Sequence, residues 1–129
     1  MNFNSFSRFL DLVADVRKAQ RAYWDNRSND NLAASLKLET RLDAYIKKCS
    51  DTLASHPQYK PEASAHGFFV LVATWRDRFK NFFKYKKSQE ADARVVKEMY
   101  IEIKDFEKAI DDALSYLDKQ MKQNINQKQ

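Results

Sequence analysis

One glycine and two prolines serve a chain of 129 residues. Sheets need turn residues at frequent intervals, so this shortage excludes a strand-rich fold, whereas helices need only a few breaks. A single glycine also cannot build a Gly-rich phosphate loop. Neither a nucleophile elbow nor a pair of histidines at i, i+4 with an intervening glutamate occurs. No catalytic, cofactor or metal residue is therefore assigned, and no enzyme is expected.

Cysteine is equally scarce. Cys49 stands alone, so no intramolecular disulfide can form, which suits a reducing compartment. With His56 and His66 it completes only three soft metal ligands, where zinc wants four at suitable spacing. Cys49 is expected to pack as a small buried apolar side chain, with both histidines at the surface or at helix ends. The opening segment MNFNSFSRFLDLVADVRK has no basic stretch followed by an uninterrupted apolar core, so it does not read as a signal peptide. The most apolar run, Gly67 to Trp75, falls far short of the ~20 residues that span a bilayer. A cytoplasmic protein is expected.

What is present points to helices. Hydrophobic residues make up 43% and charged residues 32%, enough of each for one folded domain, expected over residues 1–123. Phe6, Phe9, Val13, Val16, Gln20, Tyr23 and Trp24 recur at three- and four-residue steps. They predict a first helix from about Ser5, its cap, to Asn26. The polar stretch NRSNDN breaks it, and Asp30 is the expected cap of a second helix carrying Leu38, Leu42, Tyr45, Cys49 and Leu53. HPQYKP (56–61) is the strongest break, with Pro61 suited to the first turn of the next helix. The third helix carries Phe68, Val72, Trp75, Phe79 and Phe82. After KKSQEADA (86–93), with Ser88 as cap, the fourth has the heptad Val96, Met99, Ile103, Phe106, Ile110, Ala113, Leu117. It is expected to fray near Lys122, leaving 124–129 as a polar tail. The architecture expected is all-α: an antiparallel four-helix bundle of two hairpins, about 5–55 and 61–122.

At an offset of 59 residues, FLDLVADVR (9–17) aligns with FFVLVATWR (68–76), matching Phe9, Leu12, Val13, Ala14 and Arg17 to Phe68, Leu71, Val72, Ala73 and Arg76. In the same register Tyr23–Trp24 meets Phe82–Phe83, Leu36 meets Val95, Glu39 meets Glu98 and Leu42 meets Ile101. Opposing positions in an antiparallel hairpin then predict two structural pairs, Arg17 with Glu39 and Arg76 with Glu98.

Over residues 16–43, Arg17, Ala19, Gln20, Tyr23, Trp24, Arg27, Leu38, Glu39, Leu42 and Asp43 form a pattern. It resembles one in small uncharacterised helical proteins of bacteriophages and bacterial mobile elements. The resemblance covers about a quarter of the chain. It implies a helical hairpin and a mobile-element origin, and no activity.

The net charge of +5 is uneven: residues 59–88 carry seven basic and two acidic groups. Arg76, Arg78, Lys80, Lys84, Lys86 and Lys87 are candidate polyanion-binding residues, interleaved with aromatics as in proteins that hold a phosphate backbone and stack bases. Helical spacing also separates the two sets. It puts the aromatics on a core stripe and the cations opposite an acidic stripe of Glu98, Glu102 and Asp105. Two functions follow: a non-enzymatic interaction module for a protein partner or a second copy, and, as the alternative, a nucleic-acid-binding accessory protein. A membrane surface ranks behind both.

Overall fold

The computed structural model describes the backbone of residues 3–55 and 63–127, and side chains at 6–55, 65–117 and 119. Four helices account for it: α1 (Phe3–Asp25), α2 (Asn29–Ser55), α3 (Ala63–Lys86) and α4 (Ala93–Gln127). Among the described residues there is no strand. α1 pairs with α2 and α3 with α4, giving the two expected hairpins. The expected break at 56–61, including Pro61, lies outside the described residues.

The helix ends differ from expectation at each cap. α1 begins at Phe3, so Ser5 lies inside it. Ser28, not Asp30, caps α2: its Oγ accepts from Asn31 N at 3.1 Å, and its carbonyl accepts from Leu32 N at 3.0 Å. A capping oxygen must sit two or three residues before the amide it accepts from, and Ser28 has that position. Asn31 reaches back as well, its Nδ2 donating to Asn26 O at 2.8 Å and Ala22 O at 3.4 Å, which occupies carbonyls at the end of α1. Asp92 caps α4, its Oδ1 accepting from Arg94 N at 2.8 Å. Ser88 instead ends α3, its Oγ donating to Tyr85 O at 2.7 Å. The Tyr85 hydroxyl accepts from Asp92 N at 3.0 Å and donates to Glu90 O at 3.3 Å, so one ring organises the turn. α4 runs on to Gln127 rather than ending near Lys122. No Gly or Pro stops it, and asparagine costs a helix only about 0.7 kcal/mol or less.

Two compact units make up the chain, Met1–Phe69 and Val70–Gln129, and the division falls inside α3 rather than at the prolines. In the first unit Phe9 is the hub. Its ring stacks on Tyr45 of α2 at 5.6 Å and meets Phe68 and Phe69 of α3 at 5.7 and 5.6 Å. Leu10, Val13, Val16 and Leu42 are buried with it. In the second unit Trp75, Val72, Phe82, Ile103 and Ile110 are buried, and Phe82 approaches Tyr100 at 6.3 Å. Leu38, Phe79, Met99 and Phe106, expected in the core, are half-buried. Trp24 and Leu36, expected on or beside the apolar stripes, are exposed.

Candidate interaction surface

Among the described residues six polar or charged side chains are buried: Arg17, Gln20, Ser35, Glu39, Arg76 and Glu107. Such groups need partners, because desolvation costs about 1–3 kcal/mol for each polar group left unsatisfied. In the first hairpin Arg17 Nη1 donates to Gln20 Oε1 at 2.6 Å, and Gln20 Nε2 donates to Glu39 Oε1 at 2.6 Å. Gln20 therefore links Arg17 of α1 to Glu39 of α2.

In the second hairpin Arg76 is buried, its guanidinium 4.8 Å from the centre of the Phe79 ring and 5.4 Å from that of Trp75. Glu98 is exposed. Among the described residues α4 buries one carboxylate, Glu107, which receives Lys104 Nζ at 3.2 Å. A different ion pair joins α3 to α4: Arg78 to Glu102, 3.2 Å. The turn between α3 and α4 centres between residues 89 and 90, whereas Arg76 and Glu98 would face each other across a turn centred on residue 87, so the positions of α4 that face α3 lie further along the chain.

Burial also shows where the internal repeat lies. At the offset of 59, Phe9, Leu10, Val13, Val16 and Arg17 of α1 match Phe68, Phe69, Val72, Trp75 and Arg76 of α3, all buried. In the second helices that register fails, since buried Leu42 would meet exposed Ile101. A nine-residue shift restores it. Residues 28–49 and 96–117 then agree in burial at every position, with Ser35, Glu39 and Leu42 matching Ile103, Glu107 and Ile110. The sequence carries the same echo, missed at a fixed offset: LETRLD (38–43) and FEKAID (106–111) share hydrophobic-Glu-x-x-hydrophobic-Asp.

The repeat extends to what is exposed. Near the end of α1, Trp24 is 53% exposed, and its equivalent Phe83 is 41% exposed. At the start of α2, Leu32 is 37% exposed, and its equivalent Tyr100 is 44% exposed. Both hairpins thus keep a large aromatic and a second large apolar side chain in solvent at their turn ends. Cations lie beside two of these rings, Arg27 over Trp24 at 4.6 Å and Lys104 over Tyr100 at 5.3 Å, while Lys86 lies 5.8 Å from the ring centre of the buried Phe82.

Of the six candidate polyanion-binding residues, Arg76 is removed from the surface by burial. Arg78 is exposed but held by Glu102, and Lys80, Lys84, Lys86 and Lys87 are exposed. Cys49 is half-buried, not fully buried. Burial pushes its thiol above the ordinary value of 9.0, while a hydrogen bond with Tyr45 works the other way. Tyr45 is also raised, mainly by burial. His66 is exposed, and His56 lies outside the described residues. Among the described residues no cluster of three or more His, Cys, Asp or Glu could hold a metal ion, and no helix is long and apolar enough to cross a membrane. No protein-family model, curated protein or solved structure matches the chain.

Proposed function

We propose that the chain is a non-enzymatic helical interaction module acting in the cytoplasm. The observation that supports this reading is the repeated exposed pair at each turn end, Trp24 with Leu32 and Phe83 with Tyr100. Single exposed apolar residues are ordinary on any surface. Their recurrence at equivalent positions of both hairpins supports a shared role for these side chains. Covering a large apolar side chain gains about 1.5–3 kcal/mol, so four of them offer a partner substantial binding energy. A protein or a second copy would supply that cover. The resemblance of residues 16–43 adds a phage or mobile-element origin to the proposal.

Light scattering of the chain and of Leu32→Glu/Tyr100→Glu tests self-association. A photo-crosslinker at position 24 or 83, in native-host cells, tests a heterologous partner. Adducts or oligomers lost in the double variant support the module. A monomer that gives no adduct from either position overturns it.

The exposure of Lys80, Lys84, Lys86 and Lys87 favours the second reading, a nucleic-acid-binding accessory protein, now without Arg76.

A further inference from the structure

We propose that the two hairpin ends are binding sites for single-stranded nucleic acid, each built from an exposed aromatic ring and a neighbouring cation: Trp24 with Arg27, and Phe83 with Lys86. The proposal rests on the second reading, a nucleic-acid-binding accessory protein, and deepens it by naming the strand and the place where it binds.

Three observations carry it. First, both members of each site are exposed and equivalent at the 59-residue offset, ring to ring and cation to cation. Second, Arg27 is 4.6 Å from the Trp24 ring centre; at the other end Lys86 follows Phe83 by three helical positions, which places the two on one face, although the ring it lies over at 5.8 Å is that of the buried Phe82. Third, the second end adds exposed Lys84 and Lys87 to a chain of net charge +5. The negative end of a helix dipole draws lysines to the last turn of α3, where Lys84 and Lys86 lie. That effect gives no reason to expose an aromatic ring among them, nor to repeat the arrangement at the end of α1.

The chemistry selects the ligand. A ring in solvent beside a positive charge suits a base beside a phosphate. A duplex offers phosphates but keeps its base faces stacked, whereas a single strand offers both. An anionic membrane would also accept lysines and phenylalanine, but it has no planar ring for Trp24 to stack on.

Binding of the full chain to a fluorescein-labelled oligothymidylate of about 20 nucleotides, long enough for more than one stacking platform, is followed by anisotropy at low salt. Tryptophan emission is followed in parallel with the unlabelled strand. Trp24 is exposed and Trp75, the other tryptophan, is fully buried, so quenching reports the proposed site. The expected result is binding that weakens steeply with salt, with Trp24 quenched. Trp24→Ala and Phe83→Ala should each lose about tenfold in affinity, Trp24→Phe should retain most of it, and Arg27→Glu should lower the salt slope. Unchanged circular dichroism and Tm show that the variants are folded.

No binding at low salt overturns the proposal. So does equal binding of duplex with both alanine variants unaffected, which is backbone attraction alone. Binding to vesicles containing phosphatidylserine in place of the strand overturns it in favour of a membrane. If the strand fails while the photo-crosslinker still captures a protein, the nucleic-acid site falls and the interaction module stands.

Discussion

Glu39 of α2 and Glu107 of α4 hold the same place in the two hairpins: each is buried, each follows a half-buried hydrophobic residue, and each precedes a fully buried one by three positions. A carboxylate tolerates such a site only with partners, and Glu39 has Gln20 as a donor at 2.6 Å. Replacing Glu39 by Leu removes that acceptor and leaves Gln20 and Arg17 without it, so a loss of about 3–5 kcal/mol is expected. Glu39→Gln keeps the shape and one acceptor and should cost less. Urea midpoints of the two variants check the order. Equal midpoints would mean that the network contributes nothing through its charge.

The two tryptophans should separate by energy as they do by exposure. Trp75→Ala is expected to cost about 3–5 kcal/mol, because it empties the largest fully buried side chain. Trp24→Ala should stay within about 0.5 kcal/mol. Thermal melts distinguish them, and acrylamide should quench Trp24 far more than Trp75.

Much of the fold is legible in the amino acids. The four apolar stripes, the shortage of Gly and Pro, and the aromatic steps from Phe68 to Phe82 place all four helices. The caps were less legible, because NRSNDN and KKSQEADA each hold several residues able to cap, and only the backbone geometry selects Ser28 and Asp92. The repeat was half legible: its first helices align at one offset, but longer spacing before the fourth helix displaces Glu107 from where Glu98 stands. Arg76 shows the limit of charge counting. A guanidinium on a helix reads as surface, yet Phe79 and Trp75 supply the ring faces beside which it is buried.

Capping offers a sharper comparison. Ser28→Ala and Asp92→Ala should each cost about 0.5–2 kcal/mol, while Asp30→Ala, past the cap, should cost less. Chemical denaturation of the three variants decides, and an Asp30 effect as large as that of Ser28 would contradict the observed α2 terminus.

Alkaline pH should weaken the first hairpin. The Cys49 and Tyr45 pKa values are raised in the folded state, chiefly by burial, so folded chains hold these protons more tightly than unfolded ones. Their contribution is complete below the unfolded values and is lost as pH rises through the folded ones, above the ordinary 9.0 of a thiol. Near neutral pH, Cys49 should react with iodoacetamide more slowly than in the urea-unfolded chain. Cys49→Ser should flatten the alkaline side of a stability–pH curve. A reactive thiol in the folded chain would contradict the raised value.

Because Phe9 meets Phe68 and Phe69, the first unit reaches past the prolines into α3. Anyone dissecting this protein at its two prolines would cut through one unit, not between two. A fragment ending at Ser55 would expose the hub of its own core and invite precipitation. One ending just after Phe69 would keep the hub covered, at the expense of severing a continuous helix. The segment HPQYKP is thus a poor place for genetic splitting, tag insertion or circular permutation, however well its composition advertises it.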